Sequence, residues 1–322
     1  MVTGAAGFVG SHLCHHLIEL GCVVTGVDNL STGQADNNIA ELRRSVGFDF
    51  LLHDVVAPIE LEGSIDYLFH LASPASPVDY ARNGLATLAA GSTGSWNALR
   101  CAERAGARFV LASTSEVYGD PAEHPQRETY RGNVSSVGPR SVYDEAKRFA
   151  EALTVAFGRE REVDTGIVRI FNTYGPRMRH NDGRAVPEFM SRALRGAPLL
   201  VTGTGLQTRS LCFVSDLVEG LLAMAATRGT AGPVNLGNPH EVTVLDLALT
   251  IRDLCDSASE VRLVPGRQDD PRRHCPDVAL ARELLGWSAR VDLRDGLAAT
   301  IETFRRSAPV TPSRESVVAG VR

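Results

Sequence analysis

Three glycines at the start of the sequence constrain this chain more than any other feature. Gly4-Ala-Ala-Gly7-Phe8-Val9-Gly10 leads directly into Ser11-His-Leu-Cys-His-His-Leu-Ile-Glu-Leu-Gly21, whose apolar residues recur at helical spacing and which closes on a glycine. An apolar strand, Val23-Val-Thr-Gly-Val27, follows and ends in Asp28-Asn29. This order of turn, helix, strand and acidic residue is the signature of a dinucleotide-binding β-α-β unit. The glycines permit the tight turn and the approach of a pyrophosphate, the helix N-terminus receives the phosphate charge, and the carboxylate accepts from a ribose hydroxyl. A carboxylate at that position repels a 2′-phosphate, so NAD is expected rather than NADP. Only Met1-Val-Thr3 precede the turn, against about 5–6 residues in an ordinary strand. Either the first strand is short or the natural start lies upstream.

The strand and helix alternation continues. Phe48-Asp-Phe-Leu-Leu-His53 runs into Asp54-Val55, expected at the adenine end, and Ile65-Asp-Tyr-Leu-Phe-His70 runs into Leu71-Ala72-Ser73, expected beside the cofactor. A helix over about 87–105 precedes the strand Arg108-Phe-Val-Leu-Ala112. Alternation of this kind predicts an α/β fold, a Rossmann-like doubly wound parallel sheet with ligands at the C-terminal strand ends.

The length of 322 residues fits one large or two closely joined domains, and 43% hydrophobic with 22% charged residues is an ordinary globular composition. A net charge of −5 with scattered basic residues excludes a nucleic-acid or anionic-membrane surface. Cys14, Cys22, Cys101, Cys212, Cys255 and Cys275 are widely spaced, which reads as reduced thiols in a cytoplasmic protein. His12, His15 and His16 share the first helix without a carboxylate or cysteine beside them in sequence, so no metal is expected. No apolar run approaches the roughly 18 residues that span a bilayer, and no basic segment marks a signal peptide.

Of the 33 lysines and arginines, Lys147 alone is a lysine. It stands four residues after Tyr143, so on a helix the two share a face. An ammonium is a compact point charge where a guanidinium is a fork, and a fixed cation favours the phenolate of a neighbouring tyrosine. Tyr143 is therefore a candidate general base or acid. Ser115 and Glu116, in Ser113-Thr-Ser115-Glu116-Val-Tyr118-Gly119 at the end of a strand, are candidates to bond a substrate hydroxyl and to place a carboxylate beside the chemistry.

Together these residues resemble the extended short-chain dehydrogenase/reductases that act on nucleotide sugars. Longer runs are similar to UDP-glucuronate decarboxylases (UDP-xylose synthases): His70-Leu-Ala-Ser-Pro-Ala-Ser-Pro77, Leu111-Ala-Ser-Thr-Ser-Glu-Val-Tyr-Gly-Asp-Pro121, Tyr143-Asp-Glu-Ala-Lys-Arg148 and Arg169-Ile-Phe-Asn-Thr-Tyr-Gly-Pro-Arg177 among them. The resemblance implies a dinucleotide-binding domain over 1–171, to whose sheet strands near 167–170 and 234–237 return. It implies a smaller, mainly nucleotide-sugar-binding domain over 172–305, and a disordered tail is expected over 306–322. It also implies that Asn172, Arg177, Arg184, Arg209 and Arg273 hold the nucleotide sugar, with Tyr143, Lys147, Ser115, Glu116 and Arg273 catalytic. NAD is the implied cofactor and a homodimer, through helices near 87–105 and 143–157, the implied assembly.

Three positions depart from the family. The usual Arg-Lys-Pro-Asp run reads His274-Cys275-Pro276-Asp277, so the active-site arginine is replaced by His274 or displaced to Arg273; Gly91 stands for an asparagine and Ala146 for a glycine. The expected reaction is NAD-dependent decarboxylation of UDP-glucuronate through a 4-ketone. A 4-epimerase is the nearest alternative. A 4,6-dehydratase is disfavoured because Val117, not a second acid, follows Glu116, and a non-enzymatic NAD(H) sensor is disfavoured by retention of Ser115, Tyr143 and Lys147.

Overall fold

A computed structural model describes residues 1–32, 35–60, 63–265 and 273–307. Its centre is a seven-stranded parallel sheet. In chain order the first six strands are β1 (Val2–Thr3), β2 (Val24–Asp28), β3 (Phe48–Leu52), β4 (Tyr67–His70), β5 (Arg108–Thr114) and β6 (Thr165–Ile170). Across the sheet they lie in the order β6, β5, β4, β1, β2, β3, and the strand Val234–Leu236 adds to the outer edge of β6. β1 is only two residues long but is bonded on both sides, to β2 and β4. Ligands of such sheets gather at the C-terminal strand ends near β1, where the order reverses.

The period-2 alternation of strand side chains supplies two cores. Phe69, Val110 and Val168 face one way, onto Leu13 and Cys14 of the helix Phe8–Glu19 and onto Leu217, Leu221 and Met224 of the helix Val214–Ala226. Leu68, Phe109, Leu111 and Ile167 face the other way, onto Ala98, Leu99 and Ala102 of the helix Ser95–Ala105 and onto Ala150 and Phe157 of the helix Ser141–Glu160. A further core joins Phe189 and Met190 (helix Ala185–Leu194), Leu199 and Val201, Leu247 and Ile251 (helix Val244–Leu254) and Leu297 to Phe304. Residues 172–305 are thus shared: the helix Val214–Ala226, the strand Val234–Leu236, the helix Ala279–Leu285 and Trp287 pack with the main sheet, and the residues of the further core form the smaller body. The C-terminal helix Leu293–Ser307 runs two residues into the segment expected to be a tail, and 308–322 lie outside the described residues.

The helix expected over 87–105 is continuous from Gly84 but carries one π-helical turn, Ala90–Gly94. That turn explains two of the departures together. A Cβ built on Gly91 would lie 2.6 Å from the Ala146 Cβ and 2.8 Å from the Ala146 carbonyl oxygen. Side chains at 91 and 146 exclude one another at this crossing, so a small residue on one helix is the counterpart of a methyl on the other.

Candidate active site

The glycine turn is backbone-built. Gly4 has φ +75 and donates to Val27 O at 2.8 Å, and a Cβ on Gly10 would lie 2.0 Å from Gly4 O. Only glycine permits that crossing of loop and helix. The helix that begins at Phe8 has Gly7 as its N-cap and no side-chain cap, so its first amide groups are left to face the crevice lined by Gly4, Gly7, Phe8, Val9 and Gly10. Asp28 accepts from Ala6 N at 3.0 Å and Leu30 N at 2.8 Å. Burial raises its pKa, and these amides oppose the shift. Asn29 Nδ2 donates to Asp54 Oδ2 at 3.0 Å, which brings the ends of β2 and β3 together. Val55 is in the core and its carbonyl is held by Asn97 at 2.9 Å. Leu71 N donates to Thr3 O at 3.1 Å and Ala72 N to Thr3 Oγ1 at 3.3 Å. Ser73 Oγ is buried without a hydrogen-bond partner among the described residues and faces the same cavity. Free helix-end amides, a loop that no Cβ fits and an orphaned hydroxyl form a cradle suited to a dinucleotide.

The cradle opens into a cavity of about 470 Å³ lined by Thr114, Ser115, Glu116, Arg140, Tyr143, Lys147, Asn172, Arg184, Arg209 and His274. Tyr143 and Lys147 come from one face of the helix Ser141–Glu160, as their spacing requires, and both are buried. Lys147 Nζ donates to Ala112 O at 2.8 Å and stands 6.0 Å from the centre of the Tyr143 ring. Burial lowers the Lys147 pKa to about 8, with Glu151 opposing. Burial also pushes the Tyr143 phenol up; the Arg184 charge and a hydrogen bond with the Thr114 hydroxyl pull it down.

Thr114 thus joins Ser115, the hydroxyl expected to meet the substrate, at the cavity end of β5. β5 ends at Thr114 and the chain turns at Ser115 into the short 3₁₀ turn Ser115–Tyr118, so the last strand side chain, not the next, bonds the phenol. Ser115 lines the cavity beside it. Glu116 is ion-paired with Arg140, which precedes the helix. Asp144, one turn further on, is buried with Oδ1 unpartnered among the described residues, and burial followed by the nearby Glu116 charge raises its pKa to about 7. Tyr80 stacks on Tyr143 with ring centres 5.1 Å apart and planes 8° from parallel. Thr114 and Asp144 stand in the runs quoted from the sequence, whereas Arg140 and Tyr80 carry no such signal.

Two of the expected arginines lie elsewhere. Arg177 has φ +68 and turns away from the cavity to pair with Glu41 at 2.9 Å, near His12 and His15. Arg273 is exposed and does not line the cavity, whereas its neighbour His274 is buried there, with Nε2 3.0 Å from Gly119 O. Arg273 faces solvent, and the chain turns inward from His274 onward, with Cys275 and Pro276 also buried. Arg184 remains at the cavity, bonded to Ala75 O at 2.6 Å and 3.3 Å from Asp182, and Arg209 lines it while donating to Thr208 O at 2.8 Å.

Residues 1–237 match the sequence pattern of the NAD dependent epimerase/dehydratase family. The chain belongs to that family. It is 50% identical over 306 residues to UDP-glucuronic acid decarboxylase 2 of Arabidopsis thaliana, covering 95% of this chain and 68% of that one. It is 47% identical to UDP-glucuronic acid decarboxylase 1 of Danio rerio, covering 95% and 72%. Among solved structures, the UDP-glucuronic acid 4-epimerase of Bacillus cereus in complex with UDP-glucuronic acid and NAD is 26% identical with a TM-score of 0.83, covering 95% of this chain and 98% of that one. A dTDP-glucose 4,6-dehydratase of Streptomyces venezuelae with NAD bound is 26% identical with a TM-score of 0.85, covering 95% and 96%. The cofactor of the family is NAD, and the cradle around Gly4–Gly10 and Asp28 fits it. No helix among the described residues is long and apolar enough to cross a membrane.

Proposed function

We propose that this member of the family decarboxylates UDP-glucuronate to UDP-xylose through a 4-ketone. Identity of 50% along 95% of the chain with a UDP-glucuronic acid decarboxylase carries the reading, and the cavity supplies its chemistry. NAD⁺ held by the Gly4–Gly10 turn and Asp28 would supply a reversible hydride acceptor for C4 of the sugar, so no net oxidant would be consumed. As its phenolate, Tyr143 accepts the 4-hydroxyl proton, with Thr114 and Ser115 bonding the same oxygen and the Lys147 ammonium favouring the anion. The ketone so formed lies β to the C6 carboxylate. The C5–C6 bond then breaks, carbon dioxide leaves, and the electron pair passes to O4 as an enolate stabilised by the Tyr143 and Thr114 hydroxyls. The proton that replaces carbon dioxide at C5 comes from water, ordered by the Glu116 carboxylate in its pair with Arg140 and by His274, and Tyr143 finally returns its proton to O4. Arg184 and Arg209 bind diphosphate and carboxylate charge, and Asn172 contacts the sugar nucleotide. Asp28, Asn29, Asp54, Val55, Leu71, Ala72 and Ser73 contact the cofactor.

A 4-epimerase on the same substrate is the second reading, and one observation favours it. An imidazole stands where a carboxylate-binding arginine was expected, and Arg273 does not replace that arginine in the cavity. Incubation with UDP-glucuronate and mass analysis separates the two. A product lighter by one carbon dioxide is expected; an unchanged mass with inverted C4 sinks the decarboxylase reading.

A homodimer is supported by exposed Leu85, Trp96 and Phe149 on the helices expected to pair. Free cysteines throughout support a reducing, cytoplasmic setting.

A further inference from the structure

Away from the catalytic cavity, His124, Glu241 and Cys275 converge from three distant segments. The imidazole nitrogen, a carboxylate oxygen and the thiol sulfur all lie within 4.8 Å of one another. His124 Nε2 is 3.0 Å from Glu241 Oε2, and the Cys275 sulfur is 3.3 Å from Pro239 O. The sulfur end is buried, while the His124 and Glu241 side chains keep 34% and 24% exposure, so the cluster has a dry floor and a wet mouth. Among the described residues it is the one place where three such ligand types meet.

We propose that these three residues form a zinc site, with water as the fourth ligand. Nitrogen, oxygen and sulfur donors in one cluster match the mixed preference of zinc. Tetrahedral bonds of about 2.0–2.3 Å set ligand atoms about 3.3–3.8 Å apart, so the widest pair closes by about 1 Å, within reach of side-chain torsions. On binding, the Cys275 thiol forms the sulfur–zinc bond as thiolate and its proton passes to solvent. The surroundings already orient the ligands. Cys275 N donates to Gln126 Oε1 at 2.8 Å and Gln126 N to Cys275 O at 2.8 Å, fixing the backbone of one ligand to the segment that carries another. The Thr208 hydroxyl donates to the second oxygen of Glu241.

The position gives the ion a structural task. Cys275 follows His274, and Glu241 pairs with Ser210 in an antiparallel bridge next to Arg209. His274 and Arg209 both line the cavity, so a bound ion clamps two of its walls.

Titration of chelator-stripped protein with Co(II), followed by its sulfur-to-cobalt charge-transfer absorbance, tests the site. The expected result is a band that saturates at equimolar cobalt, disappears on addition of Zn(II) and is absent in Cys275→Ser. His124→Ala, which keeps the thiol, weakens cobalt binding by about tenfold or more. Retention of NADH by both variants shows that they are folded. No band at equimolar cobalt, or a band that persists in Cys275→Ser, overturns the proposal and leaves His124 and Glu241 as an ion pair.

Discussion

The cofactor cradle and the substrate wall that faces it are built by opposite means. The cradle comes mainly from residues 4–30, completed by Leu71–Ser73, and offers mainly main chain: the Gly4–Gly10 turn, uncapped helix amides and Asp28 held by Ala6 N and Leu30 N. The wall is assembled from Glu116 and Arg140, Arg184, Arg209 and His274, side chains on separate segments that touch only when folded. Main-chain groups do the same work whatever residue carries them, so that half tolerates little change in glycine spacing and much in side chains. The wall can exchange one charge for another, as His274 exemplifies, without disturbing the sheet.

The largest effect is expected where the halves meet. Tyr143→Phe removes the proton acceptor and should lower kcat by about 10²–10⁴-fold with NAD retention unchanged. Stopped-flow or steady-state turnover measures it, and a loss of NAD instead would make Tyr143 a binding residue. On the cradle side, Asp28→Ala should weaken NADH binding by about 1.5–3 kcal/mol, the worth of a hydrogen bond to a charged group. It should also narrow the gap between NADH and NADPH; fluorescence titration that finds the gap unchanged breaks the contrast drawn here.

Behind the wall, the platform of Tyr143 offers a third test. Gly91→Asn places a side chain against Ala146 and should cost about 1–3 kcal/mol by overpacking. Adding Ala146→Gly should recover part of it, and a denaturation double-mutant cycle with no coupling would separate the two positions.

The smallest effect concerns Asp144. Its folded pKa of about 7 stands above the ordinary 3.8, so the folded state binds a proton that the unfolded chain releases. Its contribution to stability is full below about pH 4 and is lost as pH rises through about 7. Asp144→Asn should flatten that decline, measured as Tm against pH, and an unaltered slope would assign the decline to other groups.

What the bare sequence disclosed follows the same division. The β-α-β unit, Asp28 and the shared face of Tyr143 and Lys147 were legible because their spacing along the chain is their spacing in the fold. The run Ser113-Thr114-Ser115 was not resolvable by pattern, since which hydroxyl meets the phenol depends on where β5 stops. Arg177 and Arg273 stand outside the cavity, the first at a positive φ and paired with Glu41, the second exposed, and neither placement is written in residue type. Arg140 and Tyr80 reach Glu116 and Tyr143 through tertiary contacts that no local period announces. The cluster of His124, Glu241 and Cys275 escaped notice because its members are far apart in the chain.

The isolation of Lys147 has a practical corollary. Apart from the chain terminus, an acylating reagent meets a single amine here, recessed in the catalytic cavity, with its pKa lowered to about 8 by burial. Arginine elsewhere leaves no second lysine amine to compete. The uptake of one acyl group therefore becomes a clock for how often that recess stands open.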